Sequence, residues 1–195
     1  HQTHMQLKLK LKKQTFIIAS SKTFTLKKDQ SVILPFNLSM EGALLKYSTT
    51  QLLAKVEEKN AVHYFFFAPE GLRTEYSFDK STLSSGKEFY TPKPGLKSTF
   101  SITVKNGKTL KITTLTRQQA LNTTKVNNHI LITEATVLPE KEQCTLLSLG
   151  KTQISYALYT ANKGWKEETI EVQPVDGKPE WNLVGTRRRP VKIDP

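Results

Sequence analysis

Hydrolytic chemistry needs carboxyl groups, histidines or a thiol at workable spacings, so those residues come first. The candidate acids are Glu70, Glu75 and Asp79, with Glu57-Glu58 and Glu167-Glu168 as adjacent pairs. A glycosidase holds two carboxyl groups about 5–10 Å apart across the scissile bond. Neighbours on a strand point to opposite faces, so neither adjacent pair makes such a dyad. Glu70 sits in a Pro-Glu-Gly turn, where an acid is normally solvated. His1, His4, His63 and His129 are too dispersed for a metal site, and His63 and His129 read as surface residues at strand ends. The single cysteine, Cys144, excludes an intrachain disulfide and a multi-cysteine zinc site and reads as a half-buried strand thiol. No phosphate-cradling glycine loop, HExxH helix or GxSxG elbow is present. The expectation is a chain without catalytic, metal-binding or cofactor-binding residues of its own.

Two tryptophans lie outside the apolar runs. Trp165, in ANKGWKEE, and Trp181, in GKPEWNL, stand beside Gly, Pro and Lys, as turn residues do. Each can stack on the apolar C–H face of a sugar, or it can serve as a lid over a sheet edge. Both are carried forward as sugar-stacking candidates.

The elements that would carry these residues are strands. Leu7, Leu9 and Leu11 alternate with lysines, and TFII (15–18), TFTL (23–26) and SVILPFNLSM (31–40) follow. Pro35 has no N–H to give to a ladder, which places its segment at an edge or a bulge. ALLKYST and LLAKVE read as two strands or one bent strand. In HYFFFAPEGLRTEYSFD the aromatics Tyr64–Phe67 are consecutive, so a strand there must bury both faces. KSTFSITVKNGKTLKITTLT alternates on both sides of Asn106-Gly107, the mark of a hairpin with a type I′ turn. Thr116 followed by Gln119 is a capping box, and it predicts one short helix near 117–124, ending toward Asn127-Asn128. HILITEATV is strand-like, QCTLLSL and QISYALYT read as a second hairpin across Gly150-Lys151, and EETIEVQPV adds one more strand.

The expected fold is therefore all-β: an antiparallel two-sheet β-sandwich with one short helix. Alternating βαβ units are missing, which excludes a doubly wound sheet and a (β/α)₈ barrel. Its organisation reads as a cloning remnant over 1–5, a sandwich domain over 6–185 with a semi-separate strand region at 6–30, and a basic tail or junction over 186–195.

At 195 residues with 37% hydrophobic content, the chain can bury a sizeable core. No apolar run approaches the roughly 20 residues of a membrane-spanning helix. HQTHMQLKLKLKK lacks a signal-peptide core and cleavage site. The net charge of +12 would suit a nucleic-acid or anionic-surface binder. Its lysines, however, are scattered, with clusters only at KLKLKK (8–13) and RRR (187–189). Scattered strand lysines decorate solvent faces and guard edges, so nucleic acid is not an expected partner.

Three blocks taken in order, VILPFNLSMEGALLKYSTTQLLAKVE, HYFFFAPEGLRTEYSFD and GKTLKITTLTRQQALNTTKVNNHILIT, resemble the β-domain that follows the catalytic barrel in bacterial β-galactosidases of glycoside hydrolase family 35. The resemblance covers Val32 to Leu149 and continues more faintly to RRRPVKIDP, which is similar to the junction before the next β-rich domain. It implies a non-catalytic accessory domain of an exported enzyme, periplasmic or at the cell surface, that hydrolyses β-galactosides. The implied partners are the catalytic barrel and neighbouring β-domains. In that family the catalytic glutamates belong to the barrel, so none is carried over to this sequence. The alternative is an independent carbohydrate-binding module with a glycan partner.

Overall fold

The computed structural model describes residues 2–12, 14–20, 23–139, 144–148, 151–161, 163–172 and 191–193. The chain divides into two compact units, His1–Ala120 and Leu121–Pro195. The fold is all-β, with one short α-helix among the described residues.

In the first unit, β1 (Gln2–Met5) pairs with β4 (Phe24–Leu26), and β2 (Leu7–Lys10) pairs with β3 (Thr15–Ile18), giving two small ribbons. The β1–β4 ribbon has its own apolar cluster, in which Ala19, Phe24 and Leu72 pack with Met5, Leu26, Val32 and Leu34. On the β2–β3 ribbon, Leu9 lies opposite Phe16 and Leu7 opposite Ile18, so the alternating leucines share a face as expected. That face is incompletely covered, since Leu7 and Leu11 remain exposed.

The main body follows. Its strands are β5 (Phe36–Met40), β6 (Ala43–Ser48), β7 (Gln51–Glu57), β8 (Ala61–Phe67), β9 (Tyr76–Phe78), β10 (Leu83–Ser85), β11 (Phe89–Tyr90), β12 (Thr99–Val104) and β13 (Thr109–Leu115). They form a five-stranded sheet ordered β10-β12-β13-β8-β7 and a four-stranded sheet ordered β11-β9-β6-β5. Met40, Ala43, Leu45, Tyr76 and Phe78 from the smaller sheet meet Val62, Tyr64, Phe66, Ile102, Val104, Leu110 and Ile112 from the larger, so this core is the filling of a two-sheet sandwich.

Several sequence expectations are resolved here. Pro35 precedes β5, an edge strand, so its missing N–H costs no ladder bond. ALLKYST and LLAKVE are two strands in different sheets, with the chain crossing over at Thr49-Thr50. β8 buries both faces, as four consecutive aromatics required: Val62, Tyr64 and Phe66 enter the sandwich core, while His63 and Phe65 are buried on the other side. The pairings are antiparallel except for β8 with β13, whose parallel register sets Val62 against Leu110 and Phe66 against Thr114. β12 and β13 do form the Asn-Gly hairpin, but the turn differs from type I′. Gly107 alone takes a positive φ (86°), Gly107 N–H donates to Val104 O at 2.9 Å, and Val104 N–H donates to Lys108 O at 2.9 Å. This is the longer loop in which a type I turn ends on a left-handed glycine.

The helix α1 (Arg117–Leu121) begins on the foreseen capping box. Gln119 N–H donates to Thr116 Oγ1 at 3.1 Å, and Gln119 Oε1 accepts from Thr116 N–H at 2.9 Å. It is shorter than expected, because Thr123–Val126 pairs as a strand instead of extending the helix.

The second unit contains β14 (Thr123–Val126), β15 (His129–Thr133), β16 (Thr136–Pro139), β17 (Cys144–Leu147), β18 (Gln153–Thr160), β19 (Gly164–Glu171) and β20 (Val191–Ile193). Asn127-Asn128 is the tight β14–β15 turn, with Asn127 at φ 52°. The sheets are β14-β15-β18-β19 and β16-β17-β20. β17 and β18 therefore do not form the expected hairpin. They belong to different sheets and share one apolar cluster through Cys144, Leu146, Ile154, Tyr156 and Leu158. The hairpin partner of β18 is β19.

Candidate functional site

Most of the candidate acids are engaged by the scaffold, while Glu167 stands exposed on β19. Glu75 is only 2% exposed, and its Oε1 accepts from the Tyr47 hydroxyl at 2.5 Å, the Ser20 hydroxyl at 2.8 Å and the Ser20 N–H at 3.1 Å. Nothing in the local sequence marks it as buried, since its partners lie in distant segments. Glu70 pairs with Lys27 at the surface, and that lysine's hydrogen bond holds its carboxyl below the usual range. Asp79 caps a 3₁₀ turn at Lys80–Thr82 by accepting from Ser81 N–H at 2.9 Å, and hydrogen bonding from Ser81, its side chain first and then this N–H, lowers the Asp79 pKa. Glu168 accepts from the Tyr156 hydroxyl and pairs with Lys166 at 2.9 Å. Glu57 pairs with Lys55 at 2.8 Å and Glu58 with Lys111 at 2.6 Å.

His63 is not the surface residue expected from sequence. It lies inside β8, stacked on Phe65 at 4.3 Å, with Nε2 2.7 Å from the Thr113 hydroxyl and Nδ1 3.7 Å from Glu58. Burial pushes its pKa down to about 4, against the opposing pull of Glu58. The correction is physical: its partner Thr113 arrives on the parallel strand β13, which no local pattern announces. His129 opens β15 as expected; it is half-buried, and burial lowers its pKa. Cys144 is a strand thiol as expected, but it is buried instead of half-buried. Among the described residues, no three side chains of metal-ligating type gather into a site. No helix among them is long and apolar enough to cross a membrane.

Of the two tryptophans, Trp165 is not a turn residue. It is the second residue of β19, set opposite Tyr159, whose ring meets it edge-on at 5.3 Å. Trp181 lies outside the described residues.

Both units carry concave surfaces. In the second unit, a cleft of about 320 Å³ is lined by Thr133, Glu134, Ser148, Lys151 and Ser155 among others. Its polar groups bond to one another: Thr133 Oγ1 donates to Ser155 O at 2.9 Å, Ser148 Oγ to Lys151 O at 2.6 Å, and Lys151 Nζ to Glu134 at 2.7 Å.

The first unit has a wider groove, of about 460 Å³, running beside β11 and the start of β12. A ladder of rings leads to it from the core. Phe66 meets Tyr76 edge-on at 5.3 Å, Tyr76 meets Phe100 at 5.3 Å, and Phe100 lies flat against Tyr90 at 3.9 Å. Gly86 makes room for this stack: its φ is +108°, and a Cβ there would stand 2.9 Å from the Tyr90 hydroxyl and 2.8 Å from Ile102 Cγ2. The same hydroxyl accepts from Lys87 N–H at 2.7 Å. On a two-residue strand the neighbour of an inward ring points out, and Phe89 is 50% exposed. The loop that closes the groove carries Pro92 and Pro94 and is pinned by Gly95 N–H donating to Thr114 O at 2.8 Å and by the Thr74 hydroxyl donating to Pro92 O.

Lys87, Lys93 and Lys97 line this groove, all exposed, and no carboxylate lines it. None of the three forms an ion pair with a carboxylate among the described residues. The signal was present in KEFYTPKPGLKSTF, where lysines interleave with aromatics. It was passed over when the lysines were read singly along the whole chain.

No protein-family model matches the chain, and no curated protein matches it, so neither comparison links it to glycoside hydrolase family 35.

Proposed function

We propose that this chain is a non-catalytic β-domain of a β-galactosidase-like glycoside hydrolase, supporting a catalytic barrel and shaping the approach to its cleft. The carrying observation is where the three resembling blocks fall. The first two cover β5 to β9, and the third runs from the Asn-Gly turn through β13, the capped helix and the β14–β15 hairpin. Together they account for most of the sandwich core of the first unit and the first hairpin of the second.

Two further features support the reading. The carboxylates with known partners serve the scaffold, as those of Glu75, Asp79 and Glu168 do. The exposed leucines Leu7 and Leu11 on the β2–β3 ribbon give an apolar face suited to a neighbouring domain, because isolated domains seldom leave such faces uncovered. The same reading makes the parent enzyme an exported one.

The test is to sequence and express the coding segment directly upstream, with and without this chain. The expected result is a barrel that hydrolyses a chromogenic β-galactoside and melts several degrees lower when this chain is omitted. An upstream segment encoding no barrel, or turnover by this chain alone, refutes the reading. The second reading, a carbohydrate-binding module, is favoured by one observation, the exposed Phe89 beside its lysines.

A further inference from the structure

We propose that the groove beside β11 is a binding site for an acidic saccharide, one bearing carboxylate or sulfate groups. The Phe89 ring would stack on a sugar face, and Lys93 and Lys97 would receive the anionic groups. Only the choice of a glycan ligand rests on the reading of the chain as a glycosidase module; the charge and shape of the groove stand apart from it.

Four observations carry the proposal. The groove volume falls within the roughly 300–1,000 Å³ of small-ligand sites. Its lining presents three lysines without a carboxylate, so a neutral occupant would leave the positive field uncompensated. Its walls are preorganised, because the Tyr90–Phe100 stack and the pinned proline loop fix the floor before any ligand arrives, which lowers the ordering cost of binding. Thr91 and Ser98 belong to the same lining, and the buried Ser98 hydroxyl has no hydrogen-bond partner among the described residues, while the Thr99 hydroxyl is engaged with that of Thr113 at 2.6 Å.

Other anions fit less well. A nucleic-acid strand is held by successive stacking rings along a continuous basic track, whereas one exposed ring is offered here. An acidic peptide adding to the sheet would need a longer open edge than the two residues of β11.

The test is a titration of the chain, followed by NMR at near-physiological salt, with oligogalacturonate, a sulfated galactan oligosaccharide, neutral galactotriose and oligothymidylate. The variants are Phe89→Ala, the double variant Lys93→Gln with Lys97→Gln, and Trp165→Ala, each first checked for an unchanged melting curve. The expected result is binding of one or both acidic oligosaccharides at least tenfold tighter than galactotriose, weakened at least tenfold by Phe89→Ala and by the double lysine change. Response to oligogalacturonate alone assigns carboxylate, and response to the sulfated sugar alone assigns sulfate. The proposal is overturned by no binding, by equal binding of galactotriose, or by oligothymidylate binding as tightly. Loss on Trp165→Ala with Phe89→Ala unaffected overturns it too. None of these results bears on the barrel experiment, which reads turnover and melting, so the two proposals fail separately.

Discussion

Replacing Tyr47 by Phe removes a hydroxyl that bonds to Glu75 and also lies 3.1 Å from Ser20 Oγ. The Tyr47 hydroxyl and Glu75 are both buried, and the hydroxyl donates to the carboxylate at 2.5 Å. The ring volume is kept, so no cavity term enters, and Glu75 retains its two bonds from Ser20. A hydrogen bond to a charged group contributes about 1.5–3 kcal/mol, and the loss should fall in that range. At about 4 °C per kcal/mol for a unit of this size, the melting midpoint should drop by roughly 6–12 °C. Thermal and urea denaturation followed by circular dichroism at neutral pH measure it, with Tyr90→Phe as the comparison because the Tyr90 hydroxyl bonds only at the surface. Alkaline pH gives a second reading. Burial first, then the bond to Glu75, pushes the Tyr47 pKa up to about 12. A raised native pKa means stability is intact below the ordinary tyrosine value near 10 and is lost as pH climbs through 12. The variant should lose less than the wild type over that interval. A midpoint shift below about 2 °C, against the several degrees expected from one charged hydrogen bond, or one no larger than that of Tyr90→Phe, would show that the carboxylate is satisfied without Tyr47.

The remaining predictions concern the same scaffold. For His63 the native pKa is depressed to about 4, mainly by burial, so its contribution is present above the unfolded value near 6.5 and is lost as pH falls through 4. Urea midpoints from pH 7 to 4 should fall by up to about 3 kcal/mol in equivalent stability, and His63→Gln should flatten that slope; an unchanged slope assigns it to other groups. Gly71 has φ +82°, and a Cβ would lie 2.3 Å from Thr25 O, so Gly71→Ala should cost at least about 2 kcal/mol by calorimetry. Thr116→Ala removes one arm of the capping box and should lower stability by about 1 kcal/mol, with restoration by Thr116→Ser.

What could be read from sequence was what is decided locally. Thr116 and Gln119 bond within one turn, so four residues sufficed to foresee the helix start. The alternation around Asn106-Gly107 gave the hairpin, yet the turn type depended on where the strands stop pairing, at Thr103 and Thr109. Consecutive aromatics at Tyr64–Phe67 forced a strand buried on both sides, because side chains alternate whatever the partner. His63 sits on that same strand and was misplaced, since its environment is made by Thr113 on the parallel strand β13 and by Glu58 folded back from the β7–β8 turn. The QCTLLSL and QISYALYT strands were found, but their pairing was not, because a Gly-Lys turn says that the chain bends and not which sheet it joins next. The lining of the groove all lies within Lys87–Phe100, but which of its rings are buried and which exposed is set by packing against other strands, as the Tyr76–Phe100 contact shows.

The parallel pairing of β8 with β13 bears on how the chain reaches this state. β7–β8 and β12–β13 are each joined in sequence and can form early as local hairpins, while the larger sheet is complete only when β8 and β13 zip together at its centre. Residues 68–108 must be closed into a loop for that to happen, at an entropic cost of about 3 kcal/mol beyond the constant term. Completion of the larger sheet therefore hinges on this long-range encounter, slow beside the hairpins that precede it. Until it occurs, the apolar flanks of two preformed hairpins stand open.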